Sequence, residues 1–468
     1  MSRIVKLLAV ALGVPGLVIF WAWSASTLSD WAAELCTHFH LGVTLGQALV
    51  SIVFIQLFFV MIVATLLTMA ERKWSAAMQD RIGPNRAGRL FGMSFGGIPH
   101  ILADALKMIF KEDIVPNRSM RLLYHLAPVL NFVPIFCLFA IVPMGPPVLF
   151  DHLIDGRVVH LTSTLQISNP DIGLLYVFGI ASMAVYGVSL AGWSSGNKLA
   201  LLGGVRASAQ MIAYEVALGL GLVGMMMSSS TLRLDAMIKS QSQGLFGWSW
   251  LPAWGIFIQP LGFLIFFAAA FAETKRAPFD LPEGESEIIG YFIEYSGMKF
   301  GMFMIAEFIE VVTLAGIVAA IFFGGWHLNP WLDLHLRTDI IEPLVRWRFH
   351  DNGLVTGSIA LTMAVIQTAI FAAKVFVLCW FQLLIRWTFP HFRYDQVQNL
   401  GWRILLPLGV GNVFVTGICL LVDPSMALLG VVGLAEIGLG LGMVIFTGSG
   451  SVSKSAAHLP TPATAGGH

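Results

Sequence analysis

The chain has 468 residues, 57% of them hydrophobic and only 12% charged, with a mean hydropathy of +0.79. A soluble domain is nearer half apolar and a quarter charged, so this is a polytopic membrane protein. With 27 basic and 27 acidic residues the net charge is zero, which excludes a strongly basic nucleic-acid binder and an acidic tail.

In chain order, apolar runs of about 20 residues mark spans near 4–24, 46–70, 125–148, 172–193, 206–228, 252–272, 299–323, 355–386, 403–422 and 425–447. The first follows Arg3 and Lys6 in the manner of a signal peptide. Its length suffices to span, and a retained helix is favoured over a cleaved one. The 355–386 run exceeds what a bilayer needs and predicts tilt or extension beyond it. Between the second and third spans lies GIPHILADALKMIFKE (97–112). It places Ile98, Ile101, Leu102, Ala105, Ile109 and Phe110 at helical spacing, opposite Asp104, Lys107 and Lys111. This predicts an amphipathic helix on the membrane interface, on the protein's own loops, or on both. The Ser, Ala, Thr, Gly and Pro of 449–468 predict a disordered tail.

Orientation follows from Lys and Arg in short loops. Residues 71–124 hold Arg72, Lys73, Arg81, Arg86, Arg89, Lys107, Lys111, Arg118 and Arg121, whereas 149–171 hold only Arg157. The positive-inside rule puts 71–124 in the cytoplasm. Alternation adds 194–205, 273–298, 387–402 and both termini. It leaves 324–354 outside although that loop carries Arg337, Arg346 and Arg348.

The four cysteines (Cys36, Cys137, Cys379, Cys419) are far apart and form no CxxC, so no iron–sulfur or zinc signature is present. The 12 histidines fall in loops, at span edges or in the tail, which disfavours haem held between spans. No metal site is expected, and any electron transfer needs a cofactor held by another chain.

AETKRAPFDLPEGESEIIGYFIEY (272–295) packs six carboxylates between two spans: Glu273, Asp280, Glu283, Glu285, Glu287 and Glu294. A solvated loop is the simple explanation. Against it, Phe279, Leu281, Ile288, Ile289, Tyr291, Phe292 and Ile293 interrupt the acids, as in a folded, partly buried element. A helical turn opened by Pro282 would put Glu283, Glu287 and Glu294 on one face. The acids also continue into the spans as Glu215, Glu307 and Glu310. A charge at the bilayer centre costs about 2.5–3.5 kcal/mol on insertion scales, so such groups normally face an internal cavity. Neighbouring acids titrate as a set and can hold or pass a proton. The competing reading is that each is satisfied by a structural ion pair. Lys374, also within a span, is either a counter-ion, a relay member or a structural partner. Glu436, apart from the other motifs, reads as structural.

AERKWSAAMQDRIGPNRAG (70–88), LADALKMIFKEDIVP (102–116), 173–220, AETKRAPFDLPEGESEIIGYFIEYSGMKFGMFMIAEF (272–308) and RYDQVQNLGWRILLP (393–407) together resemble the H subunit of respiratory complex I, over roughly 45–425 and in the same order. The resemblance implies a subunit of proton-pumping NADH:quinone oxidoreductase, in a bacterial inner membrane, at the junction of the hydrophilic and membrane arms. Quinone would bind at the interface with partner subunits, which would hold the flavin and iron–sulfur clusters. The partners are the quinone-module and neighbouring membrane-arm subunits and lipid, with no nucleic acid. By this resemblance Arg72, Arg81, Arg86, Asp104, Lys107, Arg206, Arg276 and Phe279 belong to the quinone chamber. Glu215, Glu273, Asp280, Glu283, Glu285, Glu287, Glu294, Glu307 and Lys374 belong to the proton path and its coupling.

The expected fold is all-α, with about eight core transmembrane helices in 46–422 and the amphipathic interfacial helix. Residues 1–45 add an N-terminal helix and external loop, 423–448 a C-terminal helix, and 449–468 the cytoplasmic tail. The added helices, the long loop after 323 and Lys275, where a neutral polar residue is expected, depart from the family pattern. The alternatives are the homologous membrane component of a hydrogenase-type, ferredoxin- or F420-linked complex, and a stand-alone ion transporter, which would show internal repeats.

Overall fold

A computed structural model describes residues 50–85, 89–90, 93–94, 97, 99–154, 157–163, 165–281, 290–341, 355–424 and 426–456, with Ser24 and Leu28. Apart from Ser24, the first predicted span lies outside the described residues, as do Arg86 and the acids Glu283, Glu285 and Glu287. So do Arg346 and Arg348.

The architecture is a bundle of long helices: α1 (Ile52–Met78), α3 (Arg121–Leu138), α4 (Gly173–Ser194), α5 (Lys198–Ser229), α6 (Pro260–Glu273), α7 (Gly297–Phe322), α8 (Val355–Thr388), α9 (Tyr394–Val422) and α10 (Ala427–Ala456), with α2 (Pro99–Phe110) between α1 and α3. Seven of the described helices are long and apolar enough to cross a membrane: α1, α3, α4, α5, α7, α8 and α9. A helix closes its backbone hydrogen bonds internally, the condition for life in lipid. The connection from α1 to α3 carries α2 at one end of the bundle. In the loop after α3, Val148–Ile154 pairs antiparallel with Arg157–Ser163 as a hairpin. An all-helical reading of the spans therefore holds, with a small β element in a connection.

The sixth span departs from its predicted bounds. The apolar run from 252 contains a short helix, Gly255–Ile258, then a break at Gln259 (φ −136°) before α6 starts at Pro260. Proline has no N–H to donate and suits the first helical position. The Gln259 side chain takes a bond from Asn412 (3.0 Å) and gives one to Thr416 (2.8 Å), which fixes the break against α9. With 14 residues, α6 is about 21 Å long, short of the roughly 30 Å hydrocarbon core. α8, with 34 residues, is long, as its sequence predicted. α10 continues to Ala456, past the apolar run.

Helix α7 is the axis. Of its apolar window 94% is buried within the protein, against 28% for α9, so α9 faces outward and α7 inward. It packs on α1, α2, α3 and α8. Small residues bring the backbones together elsewhere. A side chain on Gly187 of α4 would meet Asn131 of α3 at 2.5 Å, and one on Gly221 of α5 would meet Phe266 of α6 at 2.9 Å. Close approach at small residues is how membrane helices gain dispersion contacts without a hydrophobic drive. α2 packs on α1 and α7, while Leu102, Ile109 and Phe110 stay exposed.

Candidate functional site: a buried acid chain beside an amphipathic cavity

The site is assembled where α6 ends. Ala272 to Leu281 form a buried turn rather than a solvated loop. Gln210 of α5 anchors it by donating to the Ala272 carbonyl (2.6 Å) and the Phe279 carbonyl (2.9 Å), and Phe392 N donates to the Pro278 carbonyl (3.0 Å). Lys275 holds a left-handed φ of 56°, uncommon for a residue with a Cβ.

Glu307 and Glu310 lie three residues apart on α7 and so share a face. Arg276 Nη2 lies 4.0 Å from Glu307 Oε2, and Nη1 is 3.1 Å from Glu71 Oε2 on α1. Its guanidinium also sits 3.9 Å from the centre of the Phe308 ring. Arg386 of α8 completes the group, 2.7 Å from Glu71 Oε1. Lys275 Nζ lies 3.9 Å from Glu310 Oε2. Deeper in, Glu273, Glu310 and Glu215 line a cavity of about 20 Å³ together with Thr313 and apolar side chains of α3, α4 and α6. That is room for about one water. The resulting order is Glu71, Arg276, Glu307, Lys275, Glu310, Glu273 and Glu215, drawn from α1, α5, α6 with its turn, and α7.

A second cavity, of about 300 Å³, lies between α1, α2 and α7. Met108, Met298, Met304, Ile305 and Phe308 give it apolar walls, and Glu71, Arg72 and Asp104 a polar end. Arg72 and Asp104 pair at 2.6 Å.

The predicted residues thus divide. Glu215, Glu273, Glu307 and Arg276 come together in one chain, and Arg72 and Asp104 line the cavity. Arg81 is exposed and donates to Gln79 (2.7 Å), and Lys107 is exposed on α2. Phe279 is buried, edge-on to Tyr214 and tilted against Phe392, and does not line the cavity. Asp280 follows it in the turn, partly buried. Arg206 lies 5.8 Å from the Tyr394 ring. Glu294 is in a turn, not on the helical face proposed for it, and accepts from Asn197 (2.7 Å). The adjacent Tyr295 stacks on Tyr124 at 4.2 Å, and burial pushes its phenol up to about 12, so it remains a neutral donor. Lys374 is apart from the acids, at the far end of α7, where it donates to the carbonyls of Phe323 (2.6 Å), Gly325 (2.9 Å) and His327. Glu436 of α10 accepts from Leu261 N (3.4 Å) at the start of α6. That is a structural contact, and a carboxylate is favoured at a helix N-terminus.

Glu71 and Arg386 escaped the sequence reading. Each stands near the end of an apolar run, where charges usually mark solvent. The available signal was that Glu71 and Arg72 share AERKW with an otherwise uninterrupted helix.

Fold and site together define a polytopic membrane subunit with a line of buried carboxylates ending at an amphipathic cavity. The model of the NADH dehydrogenase family matches residues 50–417. The H subunit of the NADH-quinone oxidoreductase of Flavobacterium psychrophilum is 39% identical over 373 residues, which cover 79% of this chain and 96% of the relative. The H subunit of the Bdellovibrio bacteriovorus NADH-quinone oxidoreductase is 38% identical over 375 residues, 77% of this chain and 93% of the relative. NADH-quinone oxidoreductase subunit 8 of Rhodothermus marinus is 38% identical over 356 residues, 75% and 91%. The chain belongs to the NADH dehydrogenase family, alongside these proteins.

Proposed function

We propose that this chain is the H subunit of a proton-pumping NADH:quinone oxidoreductase in a bacterial inner membrane, with the α2 end in the cytoplasm. The observation that carries the reading is Glu71. One carboxylate is both part of the wall of the 300 Å³ cavity and the first member of the buried ion-paired chain. The cavity has the volume of a small-molecule site, about 300–1,000 Å³, with mostly apolar walls and few polar groups. Those features suit an amphiphile with a polar ring and an apolar tail, as a quinone is. Flavin and iron–sulfur clusters in partner chains of the hydrophilic arm supply the electrons.

In this reading α2 and α7 guide the apolar tail, and Glu71, Arg72 and Asp104 meet the polar head. Reduction of a quinone takes up protons and changes the charge beside Glu71. Arg276 is shared between Glu71 and Glu307, so a change at one carboxylate alters its hold on the other. Glu310, Glu273, the water-sized cavity and Glu215 carry that change towards the bundle interior, in the direction of neighbouring membrane-arm subunits. Glu283, Glu285, Glu287 and Asp280 serve as the loop's link to the quinone module, and Lys374 as a support at the far end. The relatives favour this reading over a hydrogenase-type complex or a stand-alone transporter.

Filling the cavity tests it. Ala105→Phe on α2 raises the KM for quinone about tenfold, or 1.4 kcal/mol, while NADH oxidation by ferricyanide is unchanged. An unaltered KM in the assembled complex contradicts the placement of quinone between α1, α2 and α7.

A further inference from the structure

Lys275 is the member of the chain that family resemblance does not account for, since a neutral polar residue is expected there. Its side chain is 1% exposed and that of Glu310 is 5% exposed. Among the described residues, neither Lys275 Nζ nor Glu310 Oε2 has a hydrogen-bond partner, and the two face each other across 3.9 Å. An ammonium taken out of water without a hydrogen bond is costly unless an opposite charge holds it. The backbone adds a further cost, for Lys275 stands at a φ of 56°. A purely structural role is poorly served by such a site, which a neutral residue or glycine would fill with less strain.

The neighbouring cations are committed elsewhere. Arg276 is held by Glu71, Glu307 and the Phe308 ring, and Arg386 by Glu71. The inner acids are Glu310 on α7, Glu273 at the end of α6 and Glu215 on α5, which meet at the small cavity. Among the described residues, Lys275 is the cation that forms an ion pair with this inner group.

We propose that Lys275 is the charge-setting residue of the inner acid chain: its ammonium pairs with whichever of Glu310 and Glu273 is ionised. The idea rests on the proton-path reading above and adds a residue to it. A proton reaching Glu310 frees the ammonium from that carboxylate. The ammonium then favours ionisation of Glu273, whose proton leaves through the cavity towards Glu215. Each proton released by one carboxyl is taken by the next. Lys275 acts through the carboxylates and is therefore a positioning residue.

The test uses the full complex in sealed membrane vesicles, with assembly followed on native gels. NADH:quinone turnover and protons pumped per NADH are measured across a pH series in wild type, Lys275→Gln and Lys275→Arg. The ammonium is the opposite charge that faces Glu310, so its removal leaves that buried carboxylate without its cation and disturbs proton release from the group. The pH profile of pumping in Lys275→Gln therefore moves away from the wild-type position, and Lys275→Arg restores it. A Gln variant with the wild-type profile overturns the proposal. Should Lys275→Gln fail to assemble, Lys275→Gln/Glu310→Gln removes both charges and assembles. Failure of that double variant as well overturns the assignment, because packing rather than charge is then at fault. Absence of quinone-linked pumping in wild type contradicts the functional reading instead, so the two failures are distinguishable.

Discussion

At one end of α7 the Lys374 ammonium is surrounded by the carbonyls of Phe323, Gly325 and His327, with the Trp254 ring 4.7 Å away. Midway along α7, Lys275 and Arg276 face Glu310, Glu307 and Glu71, and the Lys275 ammonium makes no hydrogen bond with any described residue. Both regions bury cations, but their partners differ. Carbonyls at a helix C-terminus carry fixed partial negative charge, so they hold a cation in one state and need no proton of their own. Carboxylates exist in two charge states, and a cation shared among them couples those states. A buried charge can take part in coupling only where its partners also change charge. The uncharged network of Gln241 supports the same contrast. Its Oε1 accepts from Gly255 N (3.0 Å) and Gly324 N (3.1 Å), closing the far end of α7 with no ionisable group.

The comparison can be broken most severely at Arg276. Arg276→Met leaves Glu71 and Glu307 buried and facing each other across a lost cation. Removing one partner of a buried pair costs about 3–5 kcal/mol. The complex should fail to accumulate, seen as loss of the assembled band on native gels. Wild-type amounts of active complex would mean that the pair is solvated.

A smaller effect is expected at the far end. Lys374→Met strips a charged donor from three carbonyls, worth about 1–3 kcal/mol for the group left unsatisfied. Thermal inactivation of the solubilised complex should come at lower temperature, with protons pumped per NADH unchanged. A lowered ratio at wild-type stability would return Lys374 to the coupling path that its place in a span first suggested.

The spans were legible because an apolar run of the right length has few alternatives in a membrane. The break before α6 was missed, because hydropathy averages over Gln259 and Pro260 within an apolar run. Glu215 and Glu307 stood out because acids inside spans are costly and rare. Glu71 and Arg386 did not, since charges near span ends are ordinary and only the three-dimensional arrangement turns them inward. Lys374 was harder to place for a related reason: its partners are backbone carbonyls, which leave no mark in a sequence. The turn at 272–281 read correctly as folded because apolar and aromatic residues alternate with its charges.

The central claim is that the cavity and the buried acids act as one unit, and Glu310 is the place to measure it. Glu310→Gln keeps the size of the side chain and removes its proton exchange. NADH:quinone turnover and proton uptake should be measured together in vesicles holding fully assembled complex. Both should fall in parallel, by on the order of a hundredfold, the scale of a lost proton-transfer group. Normal turnover with normal pumping in Glu310→Gln would contradict the account.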